Sequence, residues 1–222
     1  MIQPPDILLL NANTDAAMTD RMVAAARALH PQVQGATVTR GAAYISDEAA
    51  ADIAAGATVD FAHGLTPENT PDALVICCFG DPGLWEVRAL LPVPVIGMAE
   101  ASCHAACQLG RRFAIVTGGA AWGPMLARFV ADLGLGTRLS GIHILELTGD
   151  RIAADRDAAQ AEIGRAAAEA ADGGADVVIL GGAGLIGFAD ELQSDSPVPL
   201  LDSLNCAVTQ AVAMGTLQHA TR

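Results

Sequence analysis

Short runs of Leu, Ile and Val alternate with Ala-rich stretches of helical periodicity along the whole chain. The apolar runs predict strands over 6–11, 36–40, 73–78, 94–97, 113–117, 142–147, 176–181 and 199–202. The intervening patterns predict helices near 14–29, 46–56, 82–91, 100–108, 121–133, 155–172 and 203–217. Strands that alternate with helices imply an α/β fold built on parallel sheets. Several helix starts carry capping chemistry: Thr14 before Asp15, Ser46 before Asp47-Glu48, and Asp81 with Pro82 at the first helical position.

Three pairs of segments repeat in the same order at nearly one offset. Asp72 to Gly80 resembles Asp176 to Gly184, with Cys78 and Gly182 lying 104 residues apart. Val93-Pro94-Val95-Ile96 resembles Val198-Pro199-Leu200-Leu201, and Ile7 to Asn11 resembles Phe113 to Thr117. This predicts two pseudo-symmetric Rossmann-like lobes, residues 1–100 with 206–222 and residues 101–205. In open α/β sheets ligands bind beyond the carboxyl ends of the strands, so the active site is expected in the cleft between the lobes. The expected lining is Asn11, Asn13, Thr14, Cys78, Phe79, Gly80, Thr117, Gly118, Gly119, Gly182, Ala183 and Gly184.

Composition narrows the chemistry. The 222 residues are 52% hydrophobic and 17% charged, enough apolar material for a packed core. The net charge of −13 makes nucleic acid and anionic membranes poor partners. All 12 basic residues are Arg, so a pyridoxal-phosphate Schiff base, a Lys general base and a Walker-type phosphate lysine are excluded. Met1 to Asp6 lacks the positive start of a secretory leader, and Ile7 to Leu10 is too short for its apolar part. No apolar run reaches the roughly 18 residues of a membrane span. A cytoplasmic setting is expected, with Cys77, Cys78, Cys103, Cys107 and Cys206 as free thiols.

The most informative stretch is Cys78-Phe79-Gly80-Asp81-Pro82-Gly83. A thiol at a strand end, close to a helix N-terminus, is biased toward thiolate and suits a base or nucleophile. Alternation along the strand sends Cys77 to the opposite face, into the core. Gly182-Ala183-Gly184-Leu185-Ile186-Gly187 matches GxGxxG, with Asp202 following at the next strand end. Too little chain follows for another βαβ unit, so close backbone approach to a small ligand is preferred to dinucleotide binding. Asn11, Asn13, Thr14 and Thr117-Gly118-Gly119 suit carboxylate or imide oxygens, and equally ordinary capping and turn chemistry. Cys103 and Cys107 share a helix face but lack a second ligand pair for zinc, so packing is preferred. Trp85 and Trp122 are read as core or interface rather than stacking platforms, and no GxSxG nucleophile elbow is present.

Asn11-Ala12-Asn13-Thr14, Cys78 to Gly83, Pro94 to Ala101 and Leu180 to Gly184 together resemble the aspartate/glutamate racemase superfamily, in its hydantoin and allantoin racemase branch. The resemblance implies two pseudo-symmetric α/β lobes, no organic cofactor, and two cysteines acting on opposite faces of one carbon. It maps Cys78 onto the catalytic thiol that removes the proton α to a carbonyl. The second cysteine belongs where this chain has Gly182, and glycine carries no proton. The function expected is proton transfer next to a carbonyl of a small hydantoin-like or carboxylic acid substrate. Racemisation would then need a second acid from Thr117, His143 or water. The alternatives are a single-cysteine decarboxylase of the arylmalonate type, a maleate-isomerase-like nucleophilic route, and a non-catalytic ligand-binding homologue. The expected partner is the small-molecule substrate, and homo-oligomerisation is compatible with all of these.

Overall fold

The computed structural model describes residues 3–147, 152 and 155–221. Met1 and Ile2, part of the leader reading, lie outside the described residues. The chain divides into two compact units, Met1–Met98 with Leu204–Arg222, and Ala99–Ser203. Among the described residues no helix is long and apolar enough to cross a membrane.

The first unit holds β1 (Ile7–Asn11), α1 (Ala16–Leu29), β2 (Val33–Thr37), α2 (Glu48–His63), β3 (Ala73–Ile76), α3 (Leu84–Leu90) and β4 (Val95–Gly97). Its four strands are parallel in the order β2-β1-β3-β4. The second unit carries β5 (Phe113–Gly118), α5 (Trp122–Asp132), β6 (Leu139–Leu145), α6 (Arg156–Asp172), β7 (Val177–Gly181), α7 (Phe188–Leu192) and β8 (Leu200–Asp202). Its strands are parallel in the order β6-β5-β7-β8, the same pattern. The helices α4 (Met98–Leu109) and α8 (Ser203–Thr221) begin at the boundaries between the units.

Central strands are apolar without alternation because helices cover both faces. Every residue of β3 and of β7 is buried. Edge strands are less uniform: β2 reads Val-Gln-Gly-Ala-Thr and exposes Gln34 and Gly35. In the second unit, α6 buries Ala159, Ile163, Ala166, Ala167 and Ala170. These positions recur every three or four residues and form one helix face. That face shares a core with Ala114, Val116, Val178, Leu180 and Phe188. Burying a side chain such as Phe188 is worth about 1.5–3 kcal/mol.

The helix starts differ from expectation by one residue. Asp15, rather than Thr14, caps α1 by accepting from Met18 N at 3.1 Å. Asp47, rather than Ser46, caps α2 by accepting from Ala50 N at 2.9 Å. A carboxylate at the cap also meets the positive end of the helix dipole, which favours Asp over the neighbouring hydroxyls. The first unit ties down the end of α8. Gln218 Nε2 donates to Pro92 O at 2.6 Å, and His219 Nε2 lies 2.6 Å from Asp72 Oδ1. Trp122 is buried, whereas Trp85 is half exposed with the Arg88 guanidinium 4.9 Å above its ring.

Candidate active site

In the first unit, two strand ends meet side by side. The β1–β3 ladder extends one residue past β3, where Cys77 N donates to Leu10 O at 2.8 Å. Cys77 is fully buried and its sulfur is directed to Val75 O at 3.8 Å, a core position. Cys78 is half-buried, as alternation requires. Phe79 is buried, and Gly80 is half-buried.

The helix-terminus reading of Cys78 needs correction. Helix α3 starts at Leu84, six residues beyond the thiol, with Gly83 as its cap and no capping side chain. Asp81 and Pro82 lie before the helix, in a turn closed by Leu84 N donating to Asp81 O at 3.1 Å. The thiol therefore lies six residues along the chain before the first turn of α3, where such dipole effects are felt. Burial instead pushes the Cys78 thiol up to about 12, and the neighbouring Asp81 carboxylate adds to the effect. At neutral pH the sulfur holds its proton. Cys77 is raised further still, first by burial and then by Cys78 and Asp81.

The β1 end is organised by Asn11. Its side chain is fully buried, and Nδ2 donates to Asn13 Oδ1 at 2.8 Å, Asp15 O at 3.0 Å and Thr19 Oγ1 at 3.0 Å. Its Oδ1 accepts from Asn13 N at 3.1 Å. The Asn11 amide is thus spent on the turn that leads into α1 and presents no face to a ligand. Asn13 differs. Its Oδ1 is used by Asn11 and Asp15 N, while no partner is found for its Nδ2 among the described residues. Thr14 is half-buried, with its backbone N donating to Ala42 O at 3.1 Å and no partner for its hydroxyl among the described residues.

In the second unit, Thr117 is buried and its hydroxyl donates to Gly181 O at 2.8 Å, locking the ends of β5 and β7. Gly118 and Gly119 follow, half-buried, with Gly119 at φ +89°. Gly182 adopts φ +125°, ψ 148°, and its N donates to Ser203 Oγ at 3.3 Å. A Cβ on Gly182 or Gly184 would meet nothing within 4 Å. Ala183 to Leu185 form a 3-10 turn rather than a long helix. Asp202 at the end of β8 accepts from Gly187 N at 2.7 Å, so its carboxylate braces this loop. That is unlike a dinucleotide site, where such an acid holds a ribose and the glycine-rich turn opens a long helix. His143 is half-buried on the edge strand β6. Cys103 is buried, Cys107 half-buried, and the described residues contain no group of three or more metal-ligating side chains.

Sequence reasoning read Asp81 only as a helix cap and missed its structural place. It is buried at φ +49°, alone among the described non-glycine residues in having a positive φ. Its carboxylate occupies the space a Cβ on Gly97 would need, with Oδ2 only 2.1 Å from that point. The signals available were the Gly80-Asp81-Pro82-Gly83 turn sequence and the glycine at the end of β4.

These features agree with comparisons across the whole chain. A hydantoin racemase of Paenarthrobacter aurescens is 32% identical over 219 residues, spanning 97% of this chain and 93% of that protein. Allantoin racemase from Pseudomonas fluorescens superposes with a TM-score of 0.89 at 27% identity, covering 96% of this chain and 91% of the other. Allantoin racemase from Klebsiella pneumoniae gives 0.88 at 29% identity, covering 96% and 88%. The Asp/Glu/Hydantoin racemase family model matches residues 7–211, from the first strand into the last helix. With nearly every element and both strand-end segments inside that span, the chain belongs to the Asp/Glu/Hydantoin racemase family.

Proposed function

We propose that this protein catalyses cofactor-independent proton transfer at a carbon next to a carbonyl, in a small hydantoin-like imide or carboxylic acid, with Cys78 carrying the proton. The observation that carries this reading is the half-buried thiol at the carboxyl end of β3, in a chain similar to hydantoin and allantoin racemases over nearly its full length. The Asn13 Nδ2 and the Thr14 hydroxyl, on the neighbouring strand end and without partners among the described residues, are side-chain donors for an enolate oxygen. The backbone N–H of Gly80 is a further candidate. A well-placed donor to such an oxyanion is worth roughly 3–4 kcal/mol of barrier.

In racemisation, the Cys78 thiolate removes the α-proton, the bonding pair moves into the enolate, and a second acid returns a proton to the opposite face. A sulfur whose ionisation is pushed to about 12 acts as base only after losing its proton to solvent. Gly182, at the repeat position of Cys78, supplies no proton, so the second acid in this reading is a water molecule or another side chain.

The protonated thiol and the glycine at 182 favour a second reading, decarboxylation of a malonate-like acid. There the bond from the α-carbon to a carboxylate breaks and CO2 leaves. Its electron pair forms the enediolate, Cys78 donates its proton to the carbon, and solvent reprotonates the sulfur. Incubation in D2O with 5-substituted hydantoins, allantoin and arylmalonates separates the readings. Loss of optical rotation with deuterium uptake at the α-carbon supports racemisation, and CO2 release supports decarboxylation. Binding without either reaction rejects enzymatic function for this substrate class.

A further inference from the structure

The geometry around Gly97 points to a role for Asp81 that helix capping does not describe. We infer that Asp81 is a positioning residue: lodged in the space left by the missing Cβ of Gly97, it anchors the turn that presents Cys78 and keeps a negative charge beside that thiol. The inference rests on the reading of Cys78 as the proton carrier.

Four observations converge on it. Asp81 is buried, with 4% of its surface exposed, an unusual setting for a carboxylate. Its backbone sits at φ +49°, a left-handed conformation uncommon outside glycine that persists where the surroundings impose it. Asp81 N donates to Cys78 O at 3.0 Å, so the strained residue closes the turn that begins at the thiol. Finally, its carboxylate fills the volume beside Gly97, where any larger residue would overlap Oδ2 at 2.1 Å and Cγ at 2.4 Å. The end of β4 is thereby matched to a side chain from the loop after β3.

The electrostatic consequence follows from the same placement. Asp81 is the charged group acting on Cys78, while Cys77 feels Cys78 and Asp81 together. A carboxylate next to a thiol disfavours the thiolate, and in a half-buried site water screens the pair poorly. The residue therefore does two things: it closes the turn that begins at Cys78, and its charge disfavours the thiolate.

The test is the pH dependence of iodoacetamide alkylation at Cys78 in the full-length protein, followed by peptide mass mapping. Asp81→Asn keeps the shape and removes the charge. It is expected to raise the alkylation rate of Cys78 about tenfold at fixed pH, with the profile displaced to lower pH. Gly97→Ala approaches the same contact from β4. It should displace Asp81 and alter the Cys78 profile in the parent chain, yet have no effect in an Asp81→Gly background, where the space is vacant and glycine relieves the positive φ. An unchanged profile in Asp81→Asn, or equal effects of Gly97→Ala in both backgrounds, overturns the inference. If Asp81→Asn does not fold, the Gly97→Ala comparison decides. No substrate is needed for this readout. A displaced profile in a protein without turnover removes the functional reading alone, and an unmoved profile in an active enzyme removes this inference alone.

Discussion

Substituting Gly182 isolates backbone strain from packing. Its φ of +125° with ψ of 148° lies in a region that glycine alone adopts freely. A Cβ there meets nothing within 4 Å, so no steric overlap accompanies the change. Strain of this kind costs about 1–3 kcal/mol, and the reduced freedom of the unfolded chain returns about 0.4–1 kcal/mol. The net for Gly182→Ala is a loss of about 1–2 kcal/mol, which at this chain length lowers Tm by roughly 3–6 °C. Gly184 is the internal control. It also faces open space, but its φ is not in the positive range, so Gly184→Ala should be neutral or slightly stabilising. Differential scanning calorimetry of the two variants checks the pair. Equal Tm values would refute the strain argument. Gly182→Cys, which restores a thiol at the repeat position of Cys78, carries the same backbone cost. Any racemase activity it gains should therefore come with a lower Tm.

Asp15→Ala removes the α1 cap and should destabilise the protein by about 1 kcal/mol, read by urea denaturation. Thr117→Val deletes a buried hydrogen bond to Gly181 O, with an expected cost of about 1 kcal/mol on the same assay. Both thiols at the end of β3 keep their protons in the folded state to higher pH than in the unfolded chain, where a thiol titrates near 9.0. Their contribution to stability is complete below that value and is lost as pH rises from about 9 toward 12. Alkaline unfolding should be less steep with pH in Cys77→Ala, measured by circular dichroism.

The parallel α/β order was readable because the central strands are unbroken apolar runs between helical patterns. Edge strands were less legible. The run expected over 36–40 pairs instead as Val33–Thr37, since a strand with one exposed edge tolerates Gln34 and Gly35. Strand β6 likewise begins at Leu139, three residues before its densest apolar stretch. Helix α2 runs through Gly56 to His63 because tertiary packing outweighs the cost of about 1 kcal/mol for an interior glycine. At the candidate site, internal repetition located both cysteine-equivalent strand ends. What it could not supply was the electrostatics. A helix following at once would activate Cys78, whereas the turn through Asp81 separates them, and burial, then the Asp81 carboxylate, raise the thiol. Asn11 looked like a ligand donor from its position, yet its amide is consumed inside the turn.

Proton NMR of the α-carbon signal in D2O, comparing the parent protein with Cys78→Ala on the best substrate of the panel, tests the central claim most directly. The account predicts time-dependent deuterium incorporation with the parent and none above background with the variant, while substrate binding survives. Incorporation at an unchanged rate in Cys78→Ala would contradict it.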